Sequence, residues 1–153
     1  LPHQKDALEK AVETLDAIRP HAAADLAKAL ERHPELIADA AGGRTQEAMR
    51  AMREEAAVRT DPALRTERFV SDWQGLSTAR KKLEQQGDRA GAARVSAKLT
   101  ELAKGLERDP QVEGLLRAKT RELGIDPRPE KSIANELTAT LTRERTRAFD
   151  MGI

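Results

Sequence analysis

Phe69-Val-Ser-Asp-Trp-Gln-Gly-Leu-Ser-Thr-Ala-Arg-Lys-Lys-Leu-Glu-Gln-Gln-Gly-Asp-Arg-Ala-Gly-Ala-Ala-Arg-Val-Ser-Ala-Lys-Leu99 is the stretch that decides the fold. Within it and just before its turn, Phe69, Trp73, Leu76, Arg80 and Leu83 alternate four and three residues apart, the heptad spacing that keeps side chains on one seam of a helix. Gly87-Asp88 then places a helix stop beside a helix cap, and Ala92, Val95, Leu99, Leu102 and Leu106 repeat the same spacing. A turn this short forces the two helices to lie side by side. The stretch therefore predicts an antiparallel helical hairpin from Pro62 onward, with arms spanning roughly 30 to 40 Å at the rise of an α-helix.

Working outward, Asp61-Pro62 marks the start of the first arm, because Pro at the first helical position lacks a donor that would be orphaned anyway. On the C-terminal side, Asp109-Pro110 opens a helix with Val112, Leu115, Leu116 and Leu123, closed by Gly124. Pro127 and Pro129 stiffen a linker, and Ser132 caps a last helix whose Ile133, Leu137 and Leu141 face inward. On the N-terminal side, Leu8, Val12, Leu15 and Ile18 mark a helix as far as Pro20. Leu26, Ala29 and Leu30 form a second stripe, and Leu36, Ile37 and Ala40 a third that ends at Gly42-Gly43. Thr45 is placed to cap a fourth, with Met49, Met52 and Ala56 inward, ending near Thr60. The expectation is an all-α, elongated antiparallel bundle, four-helix-bundle-like with a short-helix hook at one end. It spans residues 1–141 as one domain, followed by a basic tail at 142–153.

Composition supports helices over sheet. Of the 153 residues, 35% are charged and only 2% aromatic, and a sheet domain of this size draws more heavily on aromatic and β-branched residues. Cysteine is absent, which excludes a disulfide framework and thiol catalysis. No apolar run approaches the ~20 residues of a membrane span, and no secretory signal is evident, so no membrane insertion is expected. The first residue is Leu rather than Met, which suggests a fragment of a longer parent chain holding the catalytic part. The net charge is +1, and acids are interleaved with bases in helical pairs such as Asp6 with Lys10, Glu55 with Arg59 and Glu113 with Arg117. This balance argues against direct nucleic acid binding, whose affinity comes largely from phosphate neutralisation.

No constellation points to an enzyme. His3, His21 and His33 are scattered with no partner at metal-binding spacing, Glu54-Glu55 and Asp16 sit on patterned polar faces, and Gly42-Gly43 lacks the rest of a phosphate loop. No catalytic residue, metal ligand, cofactor or small-molecule substrate is expected. Trp73 reads as core, with an exposed hot spot as the alternative. Two basic features remain. Arg80-Lys81-Lys82 is the densest run and suits a helix C-terminus, where the dipole favours cations; a phosphate or acidic-partner contact is the sharper reading. Arg143, Arg145 and Arg147 recur at every second position, which spreads them around a helix end instead of along one face.

Three stretches resemble a known family. Arg68-Phe-Val-Ser-Asp-Trp-Gln-Gly-Leu76, Leu102-Ala-Lys-Gly-Leu-Glu-Arg-Asp-Pro-Gln-Val-Glu-Gly-Leu-Leu-Arg117 and Arg121-Glu-Leu-Gly-Ile125 are similar to the C-terminal region of TraA-type conjugative relaxases. That region resembles the Bep intracellular delivery (BID) domain shared with Bartonella effectors. The resemblance implies a non-catalytic translocation signal, a hooked helical bundle with a cationic tail recognised by the coupling ATPase of a type IV secretion system. It implies a life in the bacterial cytoplasm followed by transfer into a recipient or host cell. Arg143-Glu-Arg-Thr-Arg147 fits the loose Arg-x-Arg pattern of such substrates and makes these arginines the partner-binding residues. Asn135 stands where an extended form of the motif carries another arginine, and Glu144 and Asp150 dilute the charge. The rival expectations are an effector domain that binds a host protein, which the absence of tyrosine does not favour, and a DNA-binding accessory module of a relaxase.

Overall fold

The structure, a computed structural model, describes residues 21–126 and 128–150 together with Asp6 and Lys10, and side chains as far as Arg145. The helix expected around Leu8, Val12, Leu15 and Ile18 lies outside the described residues, as does Pro127 of the linker. The described residues are all-α, with no strand among them. They divide into two compact units that meet at Asp61 and Pro62, where the sequence led us to expect one bundle through residue 141.

The first unit contains α1 (Ala22–Arg32), α2 (Leu36–Ala41) and α3 (Gln46–Thr60). Both α1 and α2 pack on α3. Among its described residues there are two small buried clusters, Ala22, Leu26 and Met52 in one and Ala29, Leu36 and Ala51 in the other. Met49, expected inside, is 48% exposed, and the buried register of α3 runs instead through Ala48, Ala51, Met52 and Glu55. Glu55, read as solvated, is 6% exposed. Arg59 reaches across to buried Asp25 instead of serving only the surface, donating from Nε to Oδ1 at 3.2 Å and from Nη2 to Oδ2 at 3.1 Å. The hydrogen bonds it donates to Asp25 raise the pKa of the Arg59 guanidinium above its usual value, desolvation opposes this, and the fork keeps its charge.

The second unit is built on the hairpin. α4 (Pro62–Gln85) and α5 (Arg89–Gly105) are its arms, and the 24 residues of α4 span about 36 Å. Gly87 has φ 76°, a left-handed conformation that only Gly adopts cheaply, and Asp88 accepts the amide of Gly91 at 2.8 Å, so stop and cap act as their order predicts. A 3-10 turn (Leu106–Arg108) leads into α6 (Pro110–Leu116), α7 (Thr120–Leu123) and α8 (Ile133–Asp150). Asp109 and Ser132 cap α6 and α8, accepting the amides of Val112 and Asn135. α8 continues to Asp150, so residues 142–150 extend the last helix instead of leaving it as a separate tail.

One continuous core holds this unit together. Phe69, Trp73, Leu99, Leu106, Val112, Leu116, Leu123, Ile133, Leu137 and Leu141 all belong to it, and each of the short helices contributes. The rings of Phe69 and Trp73 stack with centroids 6.0 Å apart. Trp73 is 4% exposed and is core. Leu115, one of the leucines of this segment, is 43% exposed, because the seven residues of α6 turn Val112 and Leu116 to the core and so leave Leu115 outside.

Candidate functional site

The Asp109-Pro-Gln-Val-Glu113 segment, the most distinctive part of the resemblance, is a junction that fixes where the last helix begins. Asp109 caps α6 and receives the Arg65 guanidinium at 2.8 Å, while Gln111 accepts from the same guanidinium at 3.3 Å. Val112 enters the core. Glu113 accepts the amide of Ile133 at 2.6 Å, satisfying an orphan donor at the start of α8 with a charge that suits a helix N-terminus. The start of α8 is thereby held near the start of α4. Its far end is held as well, because Arg80 of α4 binds Glu144 of α8. Contacts at matching ends mean that α4 and α8 run in the same direction.

Arg80 is the residue on which this arrangement turns. It occupies the inner seam of α4 and is 4% exposed, so it belongs to the interior and not to a surface basic run. Its guanidinium donates from Nη2 to Glu144, and Nε lies 3.6 Å from Glu84 Oε1 with no hydrogen bond of its own. A buried cation must be compensated, and here two carboxylates do so. Lys81 and Lys82, its neighbours in sequence, are exposed. The basic run therefore splits into one structural arginine and two surface lysines.

Glu144 is the partner that sequence reasoning passed over as a diluting charge. Its position carried a signal: Ile133, Leu137, Leu141 and Glu144 continue one stripe in steps of four, four and three. Arg80 continues the opposing stripe of α4 in the same way. Opposite charges at interior positions of two helices are a pairing signal, though one that needs the helix partners to be known. Arg143 and Arg145 flank Glu144 and are both exposed. Arg143 Nη2 donates to Thr140 Oγ1 at 3.1 Å. Arg147 lies on α8 with its side chain outside the described residues.

Between α4, α7 and α8 lies a cleft of about 580 Å3. Lys81, Ser77 and Thr78 of α4, Arg121 and Glu122 of α7, and Thr140 and Glu144 of α8 line it, with Trp73 and Leu141 behind. Gly124, at φ 73°, ends α7 and turns the chain at the cleft wall. Gln74 Nε2 donates to the Glu122 carbonyl at 3.0 Å and ties α7 to the hairpin. Lys81 and Arg121 form no ion pair among the described residues. The structure thus brings Lys81 together with α8, where Arg143 sits at the edge through Thr140. A broader groove of about 780 Å3 on the hairpin itself, beside Gly75, Leu76, Ala97 and Leu102, carries both charge signs in equal number at Asp72, Lys98, Glu101 and Arg108.

The histidines are not gathered into a site. His21 and His33 are exposed, and His33 Nδ1 lies 3.6 Å from Glu35; His3 lies outside the described residues. Among the described residues no group of three or more His, Asp and Glu is placed to hold a metal ion, and no helix is long and apolar enough to cross a membrane. Comparison of the chain with known protein families, with curated proteins and with solved structures finds no match, so the family resemblance rests on the residues quoted for it.

Proposed function

We propose that this is a non-catalytic translocation signal, which docks its parent protein, a conjugative relaxase, on the coupling ATPase of a type IV secretion system for transfer into a recipient cell. The observation that carries the reading is the anchoring of α8. Arg143 and Arg145 are exposed on either side of Glu144, whose bond to buried Arg80 fixes that part of the helix to the hairpin. Exposed cations on a held helix speed encounter with an acidic surface and lose little entropy when they bind. The resemblance to BID domains supports the choice of partner.

The test is transfer. Residues 1–153 are fused to the C-terminus of a reporter recombinase, and its delivery from donor to recipient cells through a type IV apparatus is scored. We expect delivery that requires the coupling protein and is lost when Arg143, Arg145 and Arg147 are all replaced by Glu, with helicity retained by circular dichroism. Undiminished transfer of that variant, or no transfer of a folded fusion through its cognate apparatus, rejects the proposal.

A further inference from the structure

We infer that Arg80, Glu84 and Glu144 form a register lock, a buried charge cluster that fixes how far α8 extends along the hairpin and thereby which way Arg143 and Arg145 face. The consequence for the two exposed arginines rests on the proposed function; the lock itself rests on the packing alone.

The apolar seam of α8 does not define its own register. Ile133, Leu137 and Leu141 are buried at steps of four, so a slide of one turn brings Leu137 to the place of Leu141 and Ile133 to that of Leu137. Side chains of similar volume then meet the same neighbours, and little apolar burial is lost. At the start of the helix, Glu113 accepts the amide of Ile133, a backbone group that any residue of a first turn supplies. Glu136 is buried as well, but its ion pair is with Arg128, which lies in the segment leading into α8 and not on the hairpin. Arg80 is different. Its side chain is buried on α4, its Nη2 donates to Glu144, and its Nε has no hydrogen-bond partner, so without Glu144 only Glu84 at 3.6 Å would face the guanidinium. The slide sets Thr140 opposite Arg80 in place of Glu144. The reverse slide sets Ala148 there and carries Arg145 to the place of Leu141. Either one leaves a buried charge short of a carboxylate, which costs more than the apolar seam loses, and in this way one polar contact within an apolar interface selects a register.

The chain has no cysteine, so spin labels go only to introduced sites. Glu107→Cys and Thr142→Cys place one exposed label in the 3-10 turn after α5 and one on α8, and double electron–electron resonance on residues 1–153 reads the distance between them. With Arg80 and Glu144 intact, the labelled protein should give a single distance. Adding Arg80→Met/Glu144→Met should give a second population displaced by about 6 Å, four residues at the helical rise, with a melting temperature within about 5 °C of the parent. Arg80→Glu/Glu144→Arg, which restores opposite charges across the helices, should return the single distance. One unshifted distance in the Met variant overturns the inference, since the apolar seam alone would then hold the register. Should that variant lose its helicity, the charge swap decides: the parent's distance upholds the lock and a displaced one overturns it. In the transfer assay, the Arg80→Met/Glu144→Met fusion should be delivered at least about tenfold less well. Full delivery beside a displaced population rejects the consequence for Arg143 and Arg145 and keeps the lock. No delivery of the unaltered fusion, with the distances as expected, rejects the translocation reading and upholds the lock.

Discussion

The two units solve the same problem, burying helix faces poor in aromatic residues, by different means. From Pro62 onward, one connected cluster of Leu, Ile, Val, Phe and Trp runs through the long and short helices alike. Before it, the described residues form two small clusters, each with alanine among its members, and Asp25 and Glu55 are buried as well. Local chemistry differs in parallel. Asp88, Asp109 and Ser132 cap helices in the second unit, whereas His21, Glu35 and Thr45 precede those of the first without a side-chain cap. Where apolar area is plentiful, local and tertiary signals agree and the unit is over-determined. Among the described residues of the first unit, the Asp25–Arg59 pair joins α1 to α3 beside those clusters.

The sharpest way to break this contrast is to remove the largest buried side chain. Trp73→Ala should destabilise the second unit by about 3 to 5 kcal/mol, combining the lost transfer free energy with the cavity left beside Phe69 and Leu141. Thermal unfolding followed by circular dichroism measures it, and an unchanged melting temperature would contradict the burial of the indole. Met52→Ala, the corresponding truncation in the first unit, should cost only about 2 to 3 kcal/mol, because small neighbours such as Ala22 leave little packing to lose. Urea unfolding that gives the two variants equal losses would dissolve the distinction.

The buried ion cluster of the second unit gives a smaller effect and a more pointed one. Glu144→Gln removes one carboxylate from Arg80 but leaves Glu84, and Glu144 is itself partly exposed, so the expected cost is about 1 to 2 kcal/mol. Arg80→Met should cost about 2 kcal/mol, because it leaves Glu84 and Glu144 without their shared cation, whereas Arg80→Met/Glu144→Met, which replaces both partners by apolar side chains, should be near neutral. Urea unfolding of these variants measures the difference, and a single Arg80→Met variant as stable as the double one would mean that the two carboxylates do not depend on the arginine.

Legibility in the sequence followed the range of the forces involved. The hairpin turn, the caps at Asp88, Asp109 and Ser132, and the seams through Phe69, Trp73, Leu99 and Leu137 depend on residues within a few positions, and spacing predicted each of them. Met49 was misplaced because an apolar side chain next to the inner stripe satisfies the same pattern as one on it, and only the partner helix decides. Asp25 with Arg59 and Arg80 with Glu144 join residues 34 and 64 positions apart, beyond any local pattern. The cleft was invisible for the same reason. Lys81 and the tail arginines stood out as charged residues, whereas Arg121 did not, because it becomes notable only where α7 meets α4.

Thr45 shows how a correct local signal is overruled, and it gives the smallest and most discriminating test. As a sequence, Thr45 before Gln46 reads as a helix cap as well as Asp88 before Arg89 does. In the structure Thr45 has φ −99° and ψ −9°, already close to helical, and no side-chain bond to the first turn, while Asp88 stands outside the helical region at φ −85° and ψ 82° and accepts the Gly91 amide. A cap contributes only when its backbone is extended enough to aim the side-chain oxygen back at the free amides. Asp88→Ala should therefore cost about 1 kcal/mol, and Thr45→Ala no more than about 0.3 kcal/mol, in denaturant unfolding of the two variants side by side. Equal costs would place a working cap at Thr45 and erase the local half of the difference between the units, leaving the contrast to rest on their cores alone.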